Sequence, residues 1–511
     1  RLSDERFSSF ARHARISLIA VDEAHCVSQW GQDFRPSYLQ IGDFIAQLPA
    51  RPPVCALTAT ATERVREDIA RLLGLRNPYR VVTGFDRPNL YFAVERTDSK
   101  RKLARIATYA LEHAEDSGIV YCSTRKDTEA VCNALVAAGV RATRYHAGLT
   151  AAERTANQQA FICDDAPVMV ATNAFGMGID KSNVRYVIHH NMPASIEAYY
   201  QEAGRAGRDG LPSVCLLFWS EKDLSTCRFF IEQESTNEEL SSEERECVRQ
   251  SRRRMLAAME GYCLTCDCLR GYLLHYFGEE VATAADPANC GNCGNCEGGF
   301  ERVDVTGEPR ALMRCVQELR GEWGKGMVVD VLRGSKSEKV SSFGLDRANA
   351  YGTLPQASIA HLKDVVELLV AGRYLDISEG KFPKVGFGPN YRAAATPEFS
   401  LFMKRLVRKS ERSGGAFGGR AFGSSGTKGS SGLPDGAQDK LFERLRALRK
   451  RLSSEQGIAP YMVFSDATLR DMCARLPQND DEFLEVNGVG QAKLERFGDA
   501  FLAEIAAFGN R

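Results

Sequence analysis

Two adjacent carboxylates, Asp22 and Glu23, directly follow a short apolar run at residues 16–21. The run is apolar and β-branched, which predicts a buried parallel strand that ends where the carboxylates begin. Acidic residues at the carboxyl end of such a strand lie where open α/β sheets bind nucleotides. We therefore expect Asp22 to hold Mg²⁺ on the phosphates of a nucleotide and Glu23 to orient or deprotonate the attacking water.

The residues after this acidic pair have side chains on which single-stranded bases can stack. His25 is placed to pass the state of the nucleotide site to its neighbours, and Trp30, Phe34 and Arg35 follow on a predicted loop. Aromatic rings and a guanidinium are groups on which single-stranded bases stack. The alternative is a core strand followed by an ordinary loop that contains aromatic residues. The first interpretation joins a nucleotide-hydrolysis site to a base-stacking surface through one continuous segment.

Segment 21–38, V-D-E-A-H-C-V-S-Q-W-G-Q-D-F-R-P-S-Y, closely resembles motif II and the aromatic-rich loop of RecQ-family DNA helicases. One residue departs from the family, since Gln32 stands where histidine is usual. The resemblance continues at a predicted strand, 54–57, which leads into Thr58 and Thr60 at the position of the family's motif III. Small hydroxyl residues there suit hydrogen bonds that link the nucleotide site to DNA. The alternative is a threonine that caps the next helix.

A second αβ unit is predicted from residue 88 to residue 220, with strand-like runs that end in polar or glycine-rich turns. One of these turns is N-A-F-G-M-G-I-D. Glycine permits tight turns and close approach of the backbone to a ligand. We therefore expect Gly178 and Asp180 to contact the nucleotide.

A later run, Y-Y-Q-E-A-G-R-A-G-R-D-G, places two arginines three residues apart, and we expect them on one face of a helical segment. We assign Arg208 as the arginine finger that stabilises phosphoryl transfer, and Arg205 as its partner in the nucleotide site. Gln201 is assigned to nucleotide binding. A solvated surface pair of arginines is the alternative. The second unit resembles motifs IV to VI of superfamily-two helicases, and this run is very close to the RecQ form.

Three cysteines, Cys290, Cys293 and Cys296, form a tight cluster with glycines at the turns between them. Four thiolates make a closed, structural zinc site. An earlier helix offers three candidates for the fourth ligand, Cys263, Cys266 and Cys268. Spacing alone does not choose among them, and reduced free thiols are the alternative to a metal site. The register of C-L-R-G-Y-L-L-H-Y-F-G resembles the zinc-binding domain of RecQ proteins and implies Cys268, which makes the other two extra.

The remaining segments resemble the carboxyl-terminal region of the same family. Residues 301–400 combine helical periods with a strand, turn and strand, which is a common duplex-binding arrangement and predicts a winged helix. Residues 410–436 are rich in Gly and Ser, which is typical of a flexible linker. Residues 438–511 show helical apolar spacing and closely match the HRDC domain. Their basic residues form either a DNA-binding face or a solvated helix surface: Arg444, Arg446, Arg449, Lys450 and Arg451.

The predicted fold is α/β, with two RecA-like helicase lobes, the first of them incomplete. A zinc-binding helical module, a winged helix and a small all-α HRDC-like domain follow. The predicted boundaries are 1–87 for the first lobe, 88–220 for the second, 221–300 for the zinc module, 301–409 for the winged helix, 410–437 for the linker and 438–511 for the HRDC domain.

The overall charge argues neither for nor against nucleic acid, because 66 basic residues balance 66 acidic ones. Any DNA-binding surface must therefore be local. Sixteen cysteines scattered through an enzyme-like sequence indicate a reducing compartment. The sequence shows no run of membrane-spanning length and no secretory leader, so we expect a cytoplasmic, nucleoid-associated protein without a membrane partner.

The resemblance covers essentially the whole chain and implies an ATP-dependent DNA helicase that moves 3′ to 5′ in recombination and repair. It also implies ATP, Mg²⁺ and Zn²⁺ as cofactors. The expected partners are single-stranded and duplex DNA, single-strand-binding protein and other repair factors.

The printed sequence contains no G-x-x-x-x-G-K-[ST] phosphate-binding loop. The family carries this loop upstream of the acidic strand, so we expect a fragment that lacks its nucleotide cradle. A catalytically inactive DNA-binding module is therefore the second hypothesis for the chain as it stands. A D-E-A-H-type RNA helicase is disfavoured by the aromatic loop, the cysteine cluster and the winged helix.

Overall fold

The computed structural model describes residues 2, 4–31, 33–114, 116–176, 181–233, 241–279, 289–298, 300–378, 383–406 and 435–509. The chain divides into two compact units. The first unit comprises Arg1–Asp86, Pro193–Tyr199 and Leu224–Arg408, and the second comprises Arg87–Met192, Tyr200–Asp223 and Lys409–Arg511. Among the described residues, no helix is long and apolar enough to cross a membrane.

A two-stranded parallel sheet with three helices opens the chain. Its elements are α1 (Glu5–His13), β1 (Ile19–Val21), α2 (Pro36–Ala46), β2 (Val54–Ala56) and α3 (Glu63–Leu72). Strands β1 and β2 pair with Ile19 opposite Val54, so the predicted parallel strand is confirmed. It is shorter than the apolar run, and the prediction that it is buried is wrong for two of its three residues, because only Val21 is buried. The apolar side chains of Val21, Val27 and Ile69 pack in the same core and hold the end of β1 in place.

A six-stranded sheet follows, in which every observed pairing is parallel and the strand order is β3-β8-β7-β4-β6-β5. Its strands are β3 (Leu90–Arg96), β4 (Ser117–Tyr121), β5 (Ala142–Tyr145), β6 (Val168–Ala171), β7 (Val184–His189) and β8 (Ser213–Trp219). The helices along this part of the chain are α4 (Ser99–Glu112), α5 (Arg125–Ala137), α6 (Ala151–Ile162) and α7 (Ile196–Ala203). Strand β6 is buried on both faces, as its continuous apolar sequence requires.

Three helices, α8 (Glu221–Gln233), α9 (Ser242–Leu264) and α10 (Leu269–Tyr276), precede the cysteine cluster. The winged-helix segment contains β9 (Phe300–Asp304), α11 (Gly307–Glu318), α12 (Lys325–Arg333), α13 (Glu338–Ser342), α14 (Ile359–Ala371), β10 (Leu375–Ile377), β11 (Val385–Phe387) and β12 (Phe402–Leu406). Strands β10 and β11 form the predicted antiparallel hairpin, and β9 pairs with β12. The predicted linker at 410–437 lies almost wholly outside the described residues.

The chain ends in an all-α domain whose helices are α15 (Asp435–Gln456), α16 (Pro460–Val463), α17 (Asp466–Arg475), α18 (Asp480–Leu484) and α19 (Gln491–Gly509). The prediction of a solvated or DNA-binding position is wrong for one of its basic residues. Arg449 is only 1% exposed, and its Nη1 donates to Oδ1 of Asp466 at 2.7 Å and to the carbonyl of Phe464 at 2.9 Å. A guanidinium at this position therefore links helices of the domain's interior.

Candidate functional site

The two carboxylates assigned to nucleotide chemistry lie where β1 ends. Glu23 has φ 47° and ψ 44°, a left-handed conformation that is uncommon outside glycine. Oδ1 of Asp22 accepts a hydrogen bond from the backbone N–H of Glu23 at 2.9 Å. Asp22 is exposed and Glu23 is half buried. This arrangement suits the predicted roles, because an exposed carboxylate can reach a metal ion while a shielded one orients water.

His25 links this acidic pair to the neighbouring strand. Its ring is 2% exposed, and Nδ1 lies 3.2 Å from Oε2 of Glu23 and 3.0 Å from Oγ1 of Thr58. The backbone reinforces the link, because the N–H of Ala24 donates to the carbonyl of Leu57 at 2.9 Å. One imidazole is therefore in contact with both the acidic pair and the segment after β2.

The two threonines assigned to DNA contact occupy different environments. Thr58 is half buried and directs its hydroxyl at His25, whereas Thr60 is 3% exposed. Their placement supports a linking role for Thr58 and gives Thr60 no exposed surface for DNA. Sequence reasoning missed the pair of His25 and Thr58 because the two residues are 33 positions apart in the chain.

The aromatic loop folds back on the acidic segment. A Cβ at Gly31 would lie 2.5 Å from the carbonyl oxygen of His25, so only glycine permits this approach. Phe34 is 8% exposed, and its ring is directed into the protein. Arg35 pairs with Asp33. Gln32 lies outside the described residues.

Two arginines lie near the ring of Trp30, which is half buried. The guanidinium carbon of Arg64 is 3.2 Å from the ring centroid, and that of Arg254 is 5.3 Å from it. Cation–π contacts of this kind stabilise an exposed pair by about 0.5–1 kcal/mol. Sequence reasoning missed both arginines, although the basic run R-R-R at 252–254 is a signal that could have pointed to one of them. The loop thus combines an aromatic ring with the positive charge that phosphates attract.

The prediction that Arg205 and Arg208 lie on a helix is wrong. Helix α7 ends at Ala203, and the two arginines belong to a stretch of turns, residues 204–210, which we name the arginine turn. The helical path has already ended at Ala203, and the φ of 56° at Gly207 is not a helical conformation. The two side chains therefore do not share a helix face.

Within the arginine turn, Arg205 is directed inward and Arg208 is exposed. Nη1 of Arg205 donates to the carbonyl of Gly176 at 2.6 Å, and a Cβ at Gly176 would lie 2.1 Å from Nη2. The glycine is thus required for the arginine to lie here. Gly178 and Asp180 lie outside the described residues, and Gln201 is half buried in the last turn of α7.

The structure brings together the four cysteines that were assigned to zinc. The sulfurs of Cys268, Cys290, Cys293 and Cys296 all lie within 4.8 Å of one another, and those of Cys290 and Cys296 are 3.9 Å apart. Tetrahedral zinc with Zn–S bonds of about 2.3 Å places its sulfurs about 3.8 Å apart, so the cluster fits Zn²⁺.

Family models match four consecutive parts of the chain. They are described as the helicase conserved C-terminal domain at residues 100–210, RecQ zinc-binding at 221–297, the RQC domain at 299–412 and the HRDC domain at 438–505.

Curated relatives match along nearly the whole length. An ATP-dependent DNA helicase RecQ of Bacillus subtilis (strain 168) is 40% identical over 508 residues, which are 99% of this chain and 79% of that protein. A protein of the same name from Haemophilus influenzae is 35% identical over 98% of this chain and 76% of its own length. A solved structure of S. cerevisiae Dbp5 bound to RNA and ADP BeF3 is 19% identical, covers 47% of this chain and 63% of its own, and has a TM-score of 0.36, too low to support an inference. On the four domain matches and the identity to the two bacterial proteins, the chain belongs to the RecQ family of helicases.

Proposed function

We propose that this chain supplies the DNA-coupled part of an ATP-dependent DNA helicase that moves 3′ to 5′ and unwinds duplex DNA in recombination and repair. Its relatives are named ATP-dependent DNA helicases, and the chain itself matches the RecQ zinc-binding, RQC and HRDC domains. The observation that carries the proposal is the contact of His25 with both Glu23 and Thr58, because this contact joins the hydrolytic carboxylate to the next strand.

In this proposal Asp22 binds Mg²⁺ on the ATP phosphates and Glu23 orients the attacking water. Bound DNA acts on the aromatic loop, which begins a few residues after the carboxylates. A shift of Trp30 moves the backbone around His25, since Gly31 is packed against the His25 carbonyl. The nucleotide state and DNA occupancy therefore influence each other through a short, buried segment.

Arg208 is the proposed arginine finger. Its exposed side chain can meet the charge that develops on the transferred phosphoryl group. Arg205 has a different role, because its guanidinium is bonded to the carbonyl of Gly176. We infer that Arg205 holds the segment around Gly176, which leads into Gly178 and Asp180, in a conformation that can bind nucleotide.

The zinc cluster and the winged helix provide the DNA-binding framework. Zn²⁺ on Cys268, Cys290, Cys293 and Cys296 acts as a structural ion, because four thiolates leave no open position for chemistry. The winged-helix segment is proposed to meet duplex DNA, and the aromatic loop single-stranded DNA. Single-strand-binding protein and other repair factors are proposed partners, in a cytoplasmic, nucleoid-associated setting.

The proposal is tested with a chimera that places the phosphate-binding loop of a RecQ relative upstream of this chain. Steady-state ATP hydrolysis at saturating single-stranded DNA should appear, and Glu23→Gln should lower it by at least about 100-fold. Glu63→Gln, which alters an exposed carboxylate at the start of α3, is the matched control and should leave the rate unchanged. A folded chimera that binds DNA yet neither hydrolyses ATP nor separates strands contradicts the proposal.

A second candidate function is DNA binding without hydrolysis by the chain as it stands. The missing G-x-x-x-x-G-K-[ST] motif in the printed residues favours it, because Asp22 and Glu23 then have no phosphate cradle to work with. The 511-residue chain should bind single-stranded DNA and show little or no DNA-stimulated ATP hydrolysis. Robust turnover that Glu23→Gln abolishes would rule this candidate out.

A further inference from the structure

Arg87 lies in segment 85–89, which the sequence suggests only as a domain boundary. Its guanidinium donates to three main-chain carbonyls of the arginine turn. Nη1 reaches the carbonyl of Gly204 at 3.4 Å, and Nη2 reaches those of Ala206 at 3.1 Å and Gly207 at 2.9 Å. Carbonyls beyond a helix end have no partner within the helix. A planar guanidinium with five donors can satisfy several of them at once.

Asn89 makes the second set of contacts from the same segment. Its Nδ2 donates to the carbonyls of Gly207 and Leu211, each at 2.9 Å. A Cβ at Gly207 would lie 2.4 Å from this nitrogen, and the φ of 56° at Gly207 also favours glycine. The amide thus occupies the space that a larger residue in the turn would need.

Asp209, which follows Arg208 in the arginine turn, forms a separate ion pair. Nη2 of Arg185 donates to both carboxylate oxygens of Asp209 at 2.6 Å, and the two side chains are 13% and 4% exposed. The residues before Arg208 accept hydrogen bonds from Arg87 and Asn89 through their carbonyls. The residue after it, Asp209, pairs with Arg185. The backbone of Arg208 is constrained on both sides while its side chain is exposed.

We propose that Arg87 and Asn89 are positioning residues that set the direction of the Arg208 side chain for phosphoryl transfer. The proposal rests on the proposed function, in which Arg208 is the arginine finger. Arg87 and Asn89 touch neither the nucleotide nor the reacting atoms in this scheme, and they act only through the backbone of the turn. A displacement of about 1 Å at a catalytic group can lower a rate by about 100-fold, so loss of these hydrogen bonds should appear in turnover.

The competing explanation is an ordinary contribution to stability, and the chain offers a matched control for it. Nη2 of Arg51 donates to the carbonyls of Gly74 at 2.7 Å and Leu73 at 3.4 Å, and Gly74 has φ 61°. Arg51 thus donates to carbonyls of a glycine turn after a helix in the same way as Arg87, and the turn at Leu73 and Gly74 itself contains no assigned catalytic residue. Arg51→Met and Arg87→Met remove the same donors and keep most of the apolar stem.

The experiment compares Arg87→Met, Arg87→Lys and Asn89→Asp with Arg51→Met. In the 511-residue chain, hydrogen exchange of a peptide that covers 204–210 should be faster in the first three variants and unchanged in Arg51→Met. In the chimera with the phosphate-binding loop, Arg87→Met should lower kcat by about 10-fold to 100-fold with little change in the KM for ATP or in DNA affinity. Arg87→Lys should have a kcat between those of Arg87→Met and the parent. An ammonium keeps some of the hydrogen bonds but cannot reach all three carbonyls. Asn89→Asp should lower kcat as Arg87→Met does, because a carboxylate cannot donate a hydrogen bond to the carbonyls of Gly207 and Leu211.

Arg208→Ala separates the two ways in which these results could fail. If Arg208→Ala leaves kcat intact, the assignment of the arginine finger fails and the positioning proposal fails with it. If Arg208→Ala lowers kcat while Arg87→Met and Asn89→Asp turn over at the parent rate, only the positioning proposal is overturned. It is also overturned if Arg51→Met loses as much kcat as Arg87→Met at equal thermal stability, because the effect then reflects general stability.

Discussion

Glu260 on α9 and Glu367 on α14 form a buried carboxyl pair. We expect the free energy of unfolding to depend on pH because of this pair. Glu260 is 1% exposed and Glu367 is 7% exposed. Burial, together with a hydrogen bond to Glu367, raises the pKa of Glu260 to about 8. Two cations face the pair. Arg228 lies 3.7 Å from Oε2 of Glu260, and Lys325 pairs with Glu367, whose own pKa is lowered by its contacts with Glu260 and Lys325 despite burial.

The direction of the effect follows from the two pKa values of Glu260. The folded protein holds the proton of Glu260 more tightly than the unfolded chain, in which the pKa is near 4.5. The stabilisation is therefore fully present below pH 4.5 and is lost as the pH rises to about 8. The difference between a pKa of 4.5 and one of about 8 corresponds to at most about 5 kcal/mol of stability. The stabilisation from Glu367 is present above its unfolded pKa of 4.5 and is lost only at lower pH. Glu367 therefore adds no pH dependence between pH 5 and pH 9.

Glu260→Gln should remove this pH dependence, because glutamine imitates the protonated acid and cannot ionise. At pH 5 the variant and the parent should have similar free energies of unfolding. At pH 9 the variant should be more stable, by about 2–5 kcal/mol. The assay is urea unfolding at pH 5, 7 and 9, followed by hydrogen-exchange pulses read on peptides from α9 and α14, since a chain with several domains does not unfold in one step.

Glu95→Gln is the matched control for this experiment. Burial also raises the pKa of Glu95, which lies in the second unit. This variant should leave the exchange of α9 and α14 unchanged at every pH. Parallel pH profiles for Glu260→Gln and the parent would refute the reasoning, because they would mean that Glu260 is ionised in the folded protein at neutral pH.

Three further predictions concern the zinc cluster, the aromatic loop and the HRDC domain. Cys268→Ser should lose the metal and destabilise its surroundings, whereas Cys266→Ser should keep one zinc per chain by metal analysis, because Cys266 lies outside the cluster. Trp30→Ala in the chimera should lower DNA affinity by only about 1–3 kcal/mol but strongly reduce DNA stimulation of ATP hydrolysis. If only the half-saturating DNA concentration shifts, the loop binds DNA without coupling. Arg449→Met should destabilise the HRDC domain by about 1.5–3 kcal/mol in thermal unfolding, because Asp466 and the Phe464 carbonyl lose the hydrogen bonds from a buried guanidinium, and an unchanged midpoint would contradict this.

The sequence by itself determined the classes of element and the chemistry along the chain. The apolar run at 16–21 identified a parallel strand, because a short β-branched apolar run is typical of one. The spacing of Cys290, Cys293 and Cys296 indicated a metal site, since thiolates a few residues apart can reach one ion. Asp22 and Glu23 were placed at a strand end, because the apolar run stops where they begin. These features are local, so the sequence contains them directly.

Only the tertiary structure decided which distant residues meet. His25 and Thr58, which are in contact, are 33 positions apart in the sequence. Trp30 and Arg254, whose side chains also meet, are 224 positions apart. Helical periodicity placed Arg205 and Arg208 on one face, but the positive φ of Gly207 and hydrogen bonds from the segment at 85–89 make a turn there.

The burial of Arg449 shows the same limit, because a basic residue among other basic residues is expected to be solvated. Its interior position depends on Asp466 and on the Phe464 carbonyl, which helix packing brings within hydrogen-bonding distance. The local sequence indicates the chemistry of which a residue is capable. It does not indicate which distant residues will pair with a buried charge. Those partners are set by how the helices and strands pack, and for this reason only the structure could identify them.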